Sequence, residues 1–131
     1  LCVMLSFPSS IRIYIAREPV DFRKAHDGLV AIIRDQFGDD PFDGSVFAFL
    51  NRKSDRVKLI HWDRDGLWLH YKRLEQGRFR LHLERDEDRV EISRPQLAML
   101  LDGIDLENRK IREPFAAAAR NGNRGGRRRE R

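Results

Sequence analysis

The chain has 131 residues, of which 40% are hydrophobic and 36% charged, and its formal net charge is +5. This length predicts one domain with a modest core. No apolar run approaches the ~18 residues that a membrane span needs, so we expect a cytoplasmic protein without a membrane partner. Cys2 is the single cysteine, which excludes an internal disulfide and a thiolate metal cluster.

The positive charge is concentrated at one end of the chain. Residues 109–131 hold nine Lys and Arg but two acidic residues, a net charge of +7, whereas the rest of the chain is at −2. An end so rich in Arg, Gly and Ala cannot bury an apolar face. We therefore predict one folded domain over residues 4–108 and a disordered basic tail over residues 109–131. The overall charge is thus no argument that the domain itself binds DNA.

The first half of the chain predicts two strands around a helix. Ile11–Ile15 reads as a strand, and Asp21 is a good N-cap for a helix from Phe22 to about Phe37, whose apolar residues share one face. Gly38 and the residues after it stop this helix. Ser45–Asn51 is a second strand, rich in aromatic residues.

The middle of the chain has the pattern of an antiparallel meander. The runs Arg56–Trp62 and Leu67–Tyr71 flank an Asp-Gly turn that is typical of a hairpin. Arg78–Leu83 alternates between apolar and polar residues and predicts a further strand. Arg89–Ile92 predicts a short last strand.

A second helix is predicted after this meander. Ser93 and Gln96 form a capping box, with Pro95 in the first turn. Four apolar residues then share one face of the helix: Leu97, Leu100, Leu101 and Ile104. The whole pattern predicts an α+β fold, in which a curved antiparallel sheet of about five or six strands carries two main helices on one face.

The sequence contains no recognisable catalytic motif. Its serines lie in no Gly-x-Ser-x-Gly context, and its glycines form no phosphate-binding loop. Four carboxylates gather near the hairpin, but aspartate is common in turns for backbone reasons. We therefore favour a turn over a two-metal nuclease site, which stays open as an alternative. These carboxylates are Asp55, Asp63, Asp65 and Glu75.

The four histidines, His26, His61, His70 and His82, match no metal-binding motif. His61 and His70 flank the hairpin and can face each other across it. We interpret them as ordinary amphipathic strand residues, and we expect no metal and no cofactor.

Basic and aromatic residues alternate along the predicted sheet, and two interpretations are open. In the first interpretation, the cations bind phosphate and the neighbouring rings stack on bases, so that together they form a surface that binds nucleic acid. Alternatively, the rings lie in the core and the cations pair with acidic residues on a solvated face, which the net charge of −2 favours. The residues in question are Lys58, Lys72, Arg73, Arg78 and Arg80, with Trp62, Trp68, Tyr71 and Phe79. The Arg-rich tail can bind phosphate without sequence preference.

Several longer motifs occur in order between Met4 and Pro114. They are Ile11–Ile15, Val20–Lys24, His26–Leu29, Asp40–Gly44, Val46–Phe49, Asp55–Leu59, Trp62–Asp63, Asp65–Leu67, Tyr71–Glu75, Gly77–Phe79, Gln96–Leu97 and Met99–Asp105. In these motifs the chain resembles TnpB, the accessory protein that the second open reading frame encodes in the insertion-sequence sixty-six family of bacterial transposable elements. Phe22, His26 and His61 stand where the family often has other residues, and the tail lies outside the resemblance.

The resemblance implies a helper in DNA transposition, acting in the bacterial cytoplasm beside a separate transposase that cuts and joins DNA. We therefore predict a non-catalytic accessory protein that binds the transposase, the DNA of the element, or both. The residues predicted to contact phosphate or an acidic partner are Arg23, Lys24, Lys58, Lys72, Arg73 and Arg78.

Two other functions stay open at this point. One is a cryptic metal-dependent nuclease that uses Asp63 and Asp65. The other is a protein-interaction module without DNA affinity, which docks through its aromatic sheet or through the Leu97–Ile104 helix.

Overall fold

The computed structural model describes residues 10–81 and 87–102, which form five strands and two helices. The predicted α+β class is confirmed. Neither helix in these residues has the length and apolar composition that crossing a membrane requires. The elements in chain order are β1 (Ile13–Ala16), α1 (His26–Asp35), β2 (Val46–Leu50), β3 (Arg56–Asp63), β4 (Gly66–Arg73), β5 (Arg89–Ile92) and α2 (Arg94–Asp102).

The sheet has the strand order β4-β3-β2-β1-β5 and is mixed rather than wholly antiparallel. Strands β2, β3 and β4 form the predicted antiparallel meander, and β5 runs antiparallel to β1. Strand β1 is parallel to β2. The reason is the helix between them, since a helical crossover brings the chain back in the same direction.

The two helices lie on opposite faces of the sheet, whereas the sequence predicted both on one face. Strand side chains alternate between the faces. Ile13 and Ile15 pack with Leu97 and Leu100 of α2, on what we name the α2 face. The other face, named the α1 face, buries a second cluster under α1: Tyr14, Ala16, Phe47, Phe49 and Ile60 with Leu29, Val30, Ile32 and Ile33.

Helix α1 begins at His26, four residues later than predicted. Asp21 does not cap it, because its carboxylate accepts hydrogen bonds from the Arg23 backbone N–H at 2.9 Å and from the Arg23 guanidinium. The residues between form a turn, in which Phe22 still packs against the core of the α1 face. The Lys24 side chain lies across Gly28, where an added Cβ would come within 2.9 Å of it.

The predicted strand Arg78–Leu83 is wrong for residues 78–81, and residues 82–83 lie outside the described part of the chain. Because β5 pairs with β1 at the far side of the sheet, the chain must leave β4 and cross the α2 face. We name residues 74–81 the crossover. Phe79 anchors it: its side chain is buried in the core of the α2 face, and its N–H donates to the Ser54 carbonyl at 2.7 Å.

The predicted capping box of α2 is confirmed. The Ser93 N–H donates to Gln96 Oε1 at 2.8 Å, and the Gln96 N–H donates to Ser93 Oγ at 3.1 Å. Leu97 and Leu100 are buried as predicted. Ile104, His82, Cys2 and the basic residues 109–131 lie outside the described residues, so the predicted tail and domain boundary stay predictions.

We predict that Phe79→Ala lowers the free energy of unfolding by about 3 to 4 kcal/mol, because it empties a ring-sized space in the core. Arg80→Ala, at the exposed neighbouring position, should change it by less than about 0.5 kcal/mol. Urea unfolding of both variants measures the difference. Equal effects would show that the crossover is not anchored by Phe79.

Candidate functional site

The six predicted cations do not share one surface. Consecutive strand residues point to opposite faces, so Lys72 lies on the α2 face and Arg73 on the α1 face. Arg23 and Lys24 belong to the turn before α1, and Arg78 belongs to the crossover. Any partner that touches all of them would have to wrap around the sheet.

Lys58, the sixth cation, points into the protein and is 6% exposed. Its ammonium donates to the carbonyl oxygens of Phe22 at 2.9 Å and of Lys24 at 2.7 Å. It also lies 4.8 Å from the centroid of the Phe22 ring and 5.5 Å from that of Tyr71. Burial lowers the pKa of this ammonium. Lys58 thus fastens the turn before α1 to the sheet.

Sequence reasoning missed this inward position, although a signal was present. Lys58 interrupts the apolar run Val57–Ile60, in a strand that both faces of the sheet cover. A charged residue in such a place needs internal partners.

Three of the other predicted cations already have a partner within the protein. The Arg23 guanidinium lies 2.7 Å from Asp21, and its hydrogen bonds lower the pKa of that carboxyl to about 2. Arg73 pairs with Glu75 at 3.0 Å. Lys72 donates to the Leu101 carbonyl at 3.0 Å. These are exposed pairs, which a partner can replace at small cost, and their binding role stays a prediction.

Three of the four carboxylates that suggested a nuclease are engaged in structural hydrogen bonds. Asp55 accepts from Asn51 Nδ2 at 2.6 Å, and Asp63 accepts from the Trp68 indole at 3.2 Å. Glu75 is bound to Arg73, as described above. Within residues 10–81 and 87–102, no group of three His, Cys, Asp or Glu side chains could hold a metal ion.

His61 and His70 meet on the α2 face, across strands β3 and β4. Their Nε2 atoms are 3.2 Å apart, and their rings are 10° from parallel with centroids separated by 5.3 Å. The rings therefore meet nitrogen to nitrogen, and a hydrogen bond between them needs one nitrogen without a proton. Burial lowers the pKa of both imidazoles, and the charge of His70 lowers that of His61 further. Both shifts favour the neutral form of the pair.

Trp68 continues this row of rings at the edge of the sheet. Its indole lies 8° from parallel to the His70 ring, with centroids 5.8 Å apart, while its N–H is bound by Asp63. Trp68 is 55% exposed, and Tyr71, on the other face of the same strand, is 54% exposed. We name Gly66–Arg73 with these two exposed rings the β4 surface.

The β4 surface is also an open sheet edge. Among the described residues, β4 pairs with β3 alone, so its outer row of backbone N–H and C=O groups has no neighbouring strand. Such an edge can accept a strand from another protein. The arrangement is suited to binding a partner.

Comparison with known proteins identifies the family to which this chain belongs. A family described as "IS66 Orf2 like protein" matches residues 11–111. This chain belongs to the IS66 Orf2 family. The resemblance that the motifs indicated is therefore confirmed, and the protein is an accessory protein associated with transposition.

Two proteins of Sinorhizobium fredii (strain NGR234) are similar to this IS66 Orf2 protein. The first, y4jC, is 31% identical over 118 residues, which cover 88% of this chain and 100% of the relative. The second, y4hO, is 33% identical over 102 residues, which cover 78% of this chain and 88% of the relative. No solved structure matches the chain.

We predict that Lys58→Met lowers the free energy of unfolding by about 2 to 3 kcal/mol, because the carbonyls of Phe22 and Lys24 lose a charged donor. Lys53→Met, the same change at an exposed loop position, should stay within about 0.5 kcal/mol. Urea unfolding compares the two variants. A Lys58→Met protein as stable as the parent would contradict the proposed fastening role.

The histidine pair predicts a dependence of stability on pH. Because burial lowers both pKa values in the folded state, the unfolded state binds more protons as the pH falls through about 6.5. The free energy of unfolding should therefore be highest above about pH 7 and should decrease toward about pH 5.5. The double variant His61→Gln with His70→Gln should lose most of this decrease.

His26→Gln, at an exposed position in α1, is the matched control and should keep the decrease. Urea unfolding at each pH measures the slope. If the double variant keeps the slope of the parent, another group is responsible.

Proposed function

We propose that this IS66 Orf2 protein is a non-catalytic accessory factor that binds the transposase of its own element through the β4 surface. The observation that carries the proposal is the pair of half-exposed rings, Trp68 and Tyr71, on an open sheet edge. Tryptophan and tyrosine are the residues that most often dominate binding at protein interfaces. A transposition-associated protein needs such a contact to act on a separate enzyme.

The geometry around Trp68 adds to this proposal. Its indole is fixed by the Asp63 hydrogen bond and by the parallel His70 ring. A ring held in place before binding loses little freedom when a partner covers it. Trp68 is therefore the residue from which we expect the largest contribution.

DNA contact is the second function that we propose, and it rests on charge. Residues 109–131 carry a net charge of +7, which suits phosphate binding without sequence preference. Lys24, Lys72, Arg73 and Arg78 are further candidates for contact with phosphate or with acidic residues of the transposase. Cutting and joining of DNA belong to the transposase in this proposal, since Asp55, Asp63 and Glu75 serve the fold of the accessory protein.

We predict that Trp68→Ser weakens binding to the purified transposase of the same element by about tenfold or more, as expected of a central interface residue. Phe42→Ser is the matched control, because Phe42 is a 45% exposed ring outside β4, and it should weaken binding by less than about threefold. Surface plasmon resonance measures both affinities, and a transposition assay in cells tests the consequence.

Trp68→Ser combined with Tyr71→Ser gives the decisive case. If this variant is folded, as shown by circular dichroism, and still binds the transposase like the parent, the β4 surface is not the contact. If the parent itself does not bind the transposase, the proposed function is wrong.

A further inference from the structure

A second surface lies away from Trp68, between the turn before α1 and the loop that joins β2 to β3. These two segments enclose an open groove of about 660 Å³. Pro19, Val20 and Phe22 give it an apolar wall, and Asn51 and Asp55 lie in its opposite wall. We name it the basic groove, because four cations line it: Arg23, Arg52, Lys53 and Arg56.

Arg56 is the unusual member of this set. Its Nε atom is buried and has no hydrogen-bond partner among the described residues. Its direct neighbour across the sheet is Arg73, so two cations face each other on adjacent strands. Like charges in this position destabilise a sheet, although the Arg73 guanidinium is also paired with Glu75 at 3.0 Å. A buried polar atom without a partner costs further free energy. An anion in the groove would offset the positive charge of the Arg56 guanidinium, whereas its buried Nε atom is not itself open to the groove.

Two carboxylates, Asp21 and Asp55, line the groove against its four cations, which leaves its lining with a net charge of +2. Asp21 is bound to Arg23, and Asp55 accepts a hydrogen bond from Asn51. Arg52 and Lys53 are exposed and form no ion pair in the part of the chain that the structure describes. The groove therefore keeps an excess of positive charge.

The walls of the groove are held in place before any ligand arrives. The Val20 N–H donates to the Leu50 carbonyl at 3.0 Å and joins the two segments. Asn51 closes the loop, since its Oδ1 accepts from the backbone N–H groups of Asp55 at 3.0 Å and Arg56 at 2.9 Å. When a site is already formed before the ligand binds, less binding free energy is lost to ordering its residues.

We propose that the basic groove binds a phosphate of a DNA backbone, with Arg56 as its central contact and Arg52 and Lys53 on neighbouring phosphate oxygens. A planar guanidinium can bind two phosphate oxygens at once. The groove is open to solvent, so a phosphate of a DNA backbone can enter it. The inference rests on the proposed function for the choice of DNA as the source of phosphate, and none of its three central residues was predicted from the sequence.

The test is fluorescence anisotropy of a short labelled DNA duplex with the full-length protein, at NaCl concentrations from ~50 to ~200 mM. The groove variant carries Arg52→Gln, Lys53→Gln and Arg56→Gln. We expect its affinity to fall about tenfold or more at ~0.1 M salt, and its salt slope to shrink by about 2 to 3.

The matched control removes three exposed cations elsewhere, with Arg34→Gln, Arg64→Gln and Arg80→Gln. It has the same net charge as the groove variant, so it should shift the salt slope by less than about 1. Both triples are also made in a chain whose Arg124, Arg127, Arg128 and Arg129 are Gln, which lowers the net charge of residues 109–131 from +7 to +3 and so weakens binding by the Arg-rich end. Equal losses in the groove variant and the control would overturn the proposal.

The variant Arg56→Lys separates the effect of the positive charge from the effect of the planar guanidinium. It also provides a second test of the proposal if the triple variant does not fold. It keeps the charge but loses the planar fork, so we expect a several-fold loss of DNA affinity with an unchanged melting temperature. An affinity equal to that of the parent would contradict the central role of Arg56.

Competitors identify the ligand. Inorganic phosphate, compared with NaCl at equal ionic strength, should displace DNA from the parent more than from the groove variant. If polyglutamate binds the groove as tightly as DNA does, the site is for acidic proteins and the proposal is wrong. Binding of the groove variant to the transposase should equal that of the parent, so failure here is distinguishable from failure of the proposed function.

Discussion

Strands β1 and β2 are buried on both faces of the sheet, and every other part of the fold has to satisfy that constraint. Their sequences, IYIA and VFAFL, contain no residue that prefers water. One face is covered by α1, which makes the parallel crossover from β1 to β2. The other is covered by α2 and by Phe79. Phe79 reaches this layer from the crossover, and α2 can join it only after β5 has returned to the far side of β1.

The same constraint explains why the outer strand β4 carries exposed rings, Trp68 and Tyr71. Strand β4 lies at the edge of the described sheet, where Leu67 and Leu69 pack against the cluster under α1, and its burial falls from its first residues to Arg73. Lys58 lies on β3, between the buried strand β2 and the more exposed strand β4. It is a charged residue within the core, and it is tolerated because the turn before α1 offers two carbonyls and the Phe22 ring, and β4 offers the Tyr71 ring. The turn before α1 also forms one wall of the basic groove.

The sequence predicted elements better than it predicted their arrangement. The hairpin of β3 and β4 and the capping box of α2 were predictable, because a few adjacent residues determine them. The faces of the helices were not, although the unbroken apolar character of β1 and β2 was a sign of two-sided burial. Charge counting could not tell Lys58 from Lys72, since side-chain direction depends on strand pairing. Arg56 was missed because the burial of its Nε atom, without a hydrogen-bond partner in the described part of the chain, exists only in three dimensions.

A contrast between two half-buried arginines, Arg89 and Arg56, supports the proposal that the basic groove binds an anion. Arg89 holds Asp39 with two hydrogen bonds, of 2.8 and 3.0 Å, and lies 4.7 Å above the Tyr14 ring. The structural role of Arg89 is thus matched by a carboxylate partner, Asp39, which lies 50 residues away in the sequence. The buried Nε of Arg56 has no hydrogen-bond partner among residues 10–81 and 87–102, and Arg56 lies beside Arg73. An arrangement that neutralises one arginine and leaves the other facing a groove favours an external anion for the second.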